Sequence, residues 1–214
     1  MTVTQQRSAV APARRGRRAG RRPGIGAKLL SLAVGLVLLG AAVALQTLHR
    51  GEGEITDPLT YTGGKGEIVD AKRFSVRLDS FVAAKSIKLG DQTIGTDNLF
   101  LIVNASAMSS LKPYHLAQPV LLTADGKKFA ATDRVTETYT LAFRWVQPGL
   151  WTSGRFFFEV PPSELPGARV VFRLPSGFVV EPYQPEAEVD LGLDEEGARK
   201  LAASPQDVYS TDKK

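Results

Sequence analysis

The residues able to do chemistry are few in this chain, and their spacing suits few reactions. There are two histidines and no cysteine, which excludes a thiolate nucleophile, a thiolate metal site, a disulfide framework and a lipidated N-terminal cysteine. His49 borders a long apolar run and only His115 belongs to the folded part, which argues against a metal cluster built on histidine. A Ser-His-Asp arrangement would have to join His115 to Ser109 or Ser110, yet no serine carries the G-x-S-x-G signature of a nucleophile elbow. A lone histidine beside Pro113 and Tyr114 reads as a turn residue. Asp91, Asp97 and Asp125 fall in predicted loops, where turn-forming aspartate is the ordinary reading ahead of catalysis or calcium. Thr62-Gly63-Gly64-Lys65 lacks the spacing and the following helix of a phosphate loop. No catalytic residue, cofactor, metal ion or small-molecule substrate is expected. Paired carboxylates stay open, and with them an envelope hydrolase as the minor alternative.

Recognition is better provided for. Trp145, Trp151 and Phe156, Phe157 and Phe158 crowd near Pro148-Gly149. In strand alternation Phe157 points away from Phe156 and Phe158, and Trp151 falls in a turn, so these two are the expected partner contacts. The plainer reading packs both under a loop or against a second sheet.

The parts that would position these residues are unlike one another. Residues 1–28 hold seven Arg, one Lys and no acid, a net of +8. From Gly51 onward 18 basic face 22 acidic residues, a net of −4. Residues 29–48, LLSLAVGLVLLGAAVALQTL, are twenty residues without a charge. At about 1.5 Å per residue they span roughly 30 Å, the thickness of a bilayer's hydrocarbon core. They read as a single transmembrane helix in contact with lipid. Arg14, Arg15, Arg17, Arg18, Arg21, Arg22 and Lys28 on one flank place a disordered N-terminal tail in the cytoplasm and the remainder outside the cell membrane. The alternative is a secreted protein, since Ala42-Val43-Ala44 has the small-x-small form that a signal peptidase accepts, giving cleavage near Ala44. No aromatic residues interleave with the arginines as stacking platforms, so no nucleic-acid partner is expected.

Residues 49–66 are rich in Gly, Glu, Thr and Asp and read as a linker. From 67 to 185 apolar and polar side chains alternate in short runs separated by turn residues. Phe74, Val76, Leu78, Ser80 and Val82 share one face of a strand, with Ser75, Arg77 and Asp79 on the other. Residues 99–105 are apolar on both faces, as in a central strand. Asp125-Gly126 supplies a tight turn between 120–123 and 128–131. Tyr139, Leu141, Phe143 and Trp145 line a further strand, and 156–160 and 170–174 add two more. About seven strands predict an all-β, antiparallel sandwich. Residues 186–214 turn acidic, with a short helix where Asp194-Glu195-Glu196 precede Arg199-Lys200, and 204–214 read as a disordered end.

Residues 98–106, NLFLIVNAS, resemble the central strand ending in N-x-S of an immunoglobulin-like family of extracellular domains that includes the secreted immunoprotective protein of mycobacteria. Residues 146–149, VQPG, followed by 154–161, GRFFFEVP, are similar to that family's Pro-Gly turn and strand closing in Val-Pro. The likeness lies in pattern more than identity. It implies an immunoglobulin-like sandwich outside the cytoplasm, on a lipoprotein or membrane-anchored chain with no assigned chemistry. This sequence departs from the family in carrying an apolar helix and no lipidated cysteine. The combined expectation is a membrane-tethered accessory or interaction module, facing an envelope protein or cell-wall polymer.

Overall fold

The computed structural model describes residues 25–48, 57–176 and 181–212. The chain divides into two compact units, Met1–Arg50 and Gly51–Lys214. In the first, one helix, α1, covers Ile25–Leu48, 24 residues dominated by Leu, Ala, Val and Gly. Leu and Ala are strong helix formers, and the sequence offers this helix no polar side. Leu29, Leu30 and the other described large side chains of α1 are all more than half exposed. Among the described residues no helix is long and apolar enough to cross a membrane. Arg14, Arg15, Arg17, Arg18, Arg21 and Arg22 lie outside the described residues, as do 49–56 of the expected linker and the side chain of Lys28.

The second unit is a sandwich of two sheets. Its strands are β1 (Leu59–Gly64), β2 (Ile68–Asp70), β3 (Phe74–Leu89), β4 (Gln92–Ser109), β5 (Val120–Leu122), β6 (Lys128–Ala130), β7 (Thr152–Val160), β8 (Arg169–Arg173), β9 (Pro185–Asp190) and β10 (Tyr209–Ser210). One sheet runs β1-β9-β8-β5-β6, and the other runs β10-β3-β4-β7 with β2 added to β3. Ten strands among the described residues replace the expected seven or so. The sheets are not wholly antiparallel either, because β1 pairs parallel to β9 and β10 parallel to β3. Both additions are sheet-edge strands with little apolar alternation. Backbone pairing, with the single side chains Tyr61 and Tyr209 packed on the core clusters, holds such strands, and side-chain periodicity is blind to it. Thus the end of the supposed linker is β1, and the supposedly disordered C-terminal end docks through β10. The acidic segment does carry a helix, α2 (Glu195–Ala203), whose Asp194 cap accepts from the Gly197 amide at 2.7 Å.

Two local corrections decide what the site contains. Between Leu78 and Ser80 the pairing of β3 with β4 slips by one residue at Asp79. A bulge of this kind reverses the inward and outward parity beyond it. Phe74, Val76 and Leu78 therefore face the inter-sheet core, while Ser80 and Val82 turn to the outer face with Ser75 and Arg77. The expected strand through Tyr139, Leu141, Phe143 and Trp145 is instead a pair of 3-10 turns, Glu137–Tyr139 and Leu141–Phe143. Leu141 and Ala142 are buried there, whereas Phe143 and Trp145 are 57% and 58% exposed. Leu141 fits because Gly154 faces it: a Cβ on Gly154 would stand 2.8 Å from the Leu141 Cβ and 2.9 Å from its Cα.

The core between the sheets gathers Val76, Leu78, Leu101, Val103, Phe156, Phe158, Val170 and Phe172, with the Phe156 and Phe172 rings 5.8 Å apart. β4 is central and apolar on both faces over 99–103, as its sequence requires. The β5–β6 hairpin turns at Gly126 with φ +84°, a conformation that favours glycine.

Candidate functional site

The outer face of the β3-β4-β7 sheet has two contrasting halves. In one, Ala84, Ile87, Phe100, Ile102, Val135 and Phe157 form a second buried cluster. The chain's own C-terminal segment covers it. Tyr209 meets Phe157 edge-on at 6.3 Å between ring centroids. Gln206 bridges to Ala84, and Ser86 Oγ donates to the Asp207 carbonyl at 2.6 Å. Phe157 does lie opposite Phe156 and Phe158, as alternation requires, but only 1% of it is exposed. It therefore has no surface to offer a partner.

The other half is polar and open. Because the bulge lifts Asp79 onto this face, its carboxylate accepts from Arg77 Nε at 2.6 Å and from Ser106 Oγ at 2.5 Å. Ser106 Oγ in turn lies 2.8 Å from Ser153 Oγ on β7. Asn104 Nδ2 donates to Ser80 Oγ at 3.1 Å. Arg155 donates to the Tyr209 hydroxyl at 3.1 Å and to the Thr211 carbonyl at 3.3 Å, tying this half to the tail. The 3-10 turns bring Tyr139 and Arg144 over the β7 edge. Asp79, Asn104, Tyr139, Arg144, Ser153 and Arg155 line the resulting cleft of about 460 Å³. Trp151 is 39% exposed, with the guanidinium of Arg77, the partner of Asp79, 5.5 Å from its ring centre. Of the two expected contacts, only Trp151 is at the surface.

This arrangement can recognise polar groups, and it contains no imidazole to activate a hydroxyl. Ser106 is 2% exposed and bonded to a carboxylate, without the base that a serine nucleophile needs. His115 lies elsewhere: its Nδ1 is 3.0 Å from the Ala142 carbonyl oxygen and its ring centroid 4.0 Å from that of Trp145. Ser109 donates to the Lys112 carbonyl, not to His115. Of the three aspartates expected in loops, Asp91 sits in the two-residue turn after β3 and Asp97 in the irregular pairing of β4, between Gly95 and Phe100. Asp125 is bound by Thr123 Oγ1 and by Lys127 Nζ at 3.0 Å, and these hydrogen bonds hold its carboxyl below the usual range. Among the described residues no group of His, Asp or Glu is placed to hold a metal ion.

A third cluster borders the covered half. Thr96 donates to Glu159, and Arg134 reaches Glu159 at 3.0 Å and the Gly95 carbonyl at 2.8 Å. Burial pushes the Glu159 carboxyl up, but the hydrogen bonds from Thr96 and Arg134 outweigh it and hold the carboxyl below its ordinary value. Sequence reasoning missed Asp79, Asn104, Arg144 and Arg155 as site residues. The alternation Asn104-Ala105-Ser106, polar on the outer side directly after Phe100 and Ile102, was the available signal.

No protein-family model matches this sequence, and no curated protein matches it as a relative. Among solved structures, the chain is similar to the yjhA protein of Bacillus subtilis, with 14% identity, a TM-score of 0.44 and coverage of 60% of this chain and 98% of that one. It is also similar to the secreted protein MPT63 of Mycobacterium tuberculosis, at 14% identity and a TM-score of 0.41, covering 63% and 98%. A putative lipoprotein of Bacillus subtilis, ycdA, gives 18% identity and a TM-score of 0.41 over 61% of this chain and 39% of that one. These likenesses are too slight to transfer a fold, an activity or a partner; the sandwich rests on its own strand pairing and core.

Proposed function

We propose that this protein is a membrane-tethered, non-enzymatic module whose sandwich, of immunoglobulin-like type, presents the polar half of its outer face to another envelope protein or to cell-wall polymer. The observation that carries this reading is the contrast on one sheet face: the apolar half is closed by the chain's own tail, and the adjoining polar half is left as an open cleft. Asp79, Asn104, Ser153 and Arg144 offer both donors and acceptors, and Tyr139 and Trp151 offer flat apolar surface, a combination that suits hydroxyl-rich or peptide partners. The tether is supported by the twenty uncharged residues 29–48 of the sequence and by the arginines that precede them.

The test uses the full chain in its membrane. A photo-crosslinker at Tyr139 is expected to trap one specific partner, and Arg144→Glu is expected to abolish the adduct. Turnover of an envelope substrate that is lost in Asp79→Asn would replace this reading with a hydrolase. A reporter fused after Lys214 that is active only in the cytosol would remove the outward orientation. A mature N-terminus just after Ala44 would convert the tethered protein into a secreted one.

A further inference from the structure

The two ends of the sandwich expose different chemistry. Leu59, Leu111, Phe143, Trp145, Leu150 and Tyr183 are each between 41% and 80% exposed. Backbone contacts place their segments at one end. The Leu59 amide donates to Gln184, the Ser110 amide to Arg73, and the Ser109 amide to Gln147. Tyr114 pairs with Val146, and the Arg73 side chain reaches Glu181 at 2.5 Å. This is the end at which the chain enters the domain, at the start of β1. The turns at the opposite end, around Asp91, Asp125, Glu164 and Asp194 to Glu196, carry carboxylates and, among the described residues, no exposed large hydrophobic side chain.

We infer that the entry end of the domain seats on the surface of a bilayer. The inference rests on the tether proposed above. Trp, Tyr, Phe and Leu on short loops are the side chains that enter the headgroup region, where an aromatic body meets hydrocarbon and its polar edge meets water. Among the charges at this end, the acids Asp70 and Glu181 are engaged by Lys72 and Arg73. Ten residues, 49–58, separate α1 from β1. Such a span reaches at most about 35 Å, which keeps the apolar end at high effective concentration beside the lipid.

The test is tryptophan fluorescence of the full chain in phosphatidylglycerol vesicles carrying brominated acyl chains, because the protein has only two tryptophans. Trp145 stands on the apolar end and Trp151 on the outer face against Arg77. In W151F, emission from Trp145 is expected to shift to the blue and fall by roughly half, while in W145F the emission of Trp151 changes little. Adding Phe143→Ser and Leu150→Ser, both at exposed positions, should reduce the quenching of Trp145 about twofold without unfolding the domain. Full emission from W151F in protein that resists alkaline carbonate extraction would overturn this inference and leave the tether standing. Release by carbonate would overturn the tether and this inference together.

Discussion

The two halves of the outer β3-β4-β7 face are built on the same three strands, yet they serve different ends. Phe100, Ile102 and Phe157 leave water because the tail lies over them, so that half contributes stability. Asn104, Ser106, Ser153 and Arg155 follow on the same face in the neighbouring positions of β4 and β7. Their hydrogen bonds are largely satisfied within the cluster, and the surface remains open. The difference teaches where stability and recognition separate within one sheet: substitutions in the covered half should act on folding, and substitutions in the open half on binding.

The largest effect is expected from Phe157→Ala, which should lower stability by about 3–5 kcal/mol in denaturant unfolding, as for other buried phenylalanines. A loss below that of a surface substitution would break the comparison outright. Tyr209→Ala should cost about 2 kcal/mol and raise binding of a hydrophobic dye, because it uncovers Phe157 while leaving the sheet paired. Gly154→Ala sharpens the comparison from the other side. Its Cβ would press on the Leu141 backbone, so the 3-10 turns must shift, at about 1–3 kcal/mol, and partner crosslinking at Tyr139 should fall although the covered half is intact.

Glu159→Gln should cost about 1 kcal/mol at neutral pH. The sign of its pH dependence follows from a carboxyl held below its unfolded value. Its contribution is full above the unfolded pKa of about 4.3 and is lost as pH falls through the lower folded value, so mutant and wild type should converge in acid. The smallest stability change, within about 0.5 kcal/mol, belongs to Arg144→Glu in the open half, where the expected loss is of the crosslinked partner alone.

Much of the fold was legible because the strands that build the core obey period-two alternation. The runs through Phe74, Leu101, Phe156 and Phe172 and the hairpin at Asp125-Gly126 stand where their patterns put them. The short edge strands were not legible, since β1 and β10 are held by backbone pairing to β9 and β3 and need no apolar rhythm of their own. The segment from Glu137 misled for a different reason. Tyr139, Leu141, Phe143 and Trp145 alternate like a strand, but only Leu141 finds a buried cavity, the one left by Gly154. Trp151, which the plainer reading packed away, is 39% exposed. Phe157 was placed on the correct face, and what covers that face lies some fifty residues further along the chain, at Tyr209.

The sequence by itself determined that the chain has an uncharged apolar segment behind a basic tail, followed by β-structure poor in groups for acid–base chemistry, because charge, periodicity and residue type are local properties. Tertiary structure alone decided which polar residues share a surface. A one-residue bulge at Asp79 reversed the facing of β3 from Ser80 to Ala84, where a second irregularity reverses it again, and a parallel tail strand chose which half of the face would be closed. Both depend on pairing between distant segments, and the free energy of that pairing is not written in either segment taken alone.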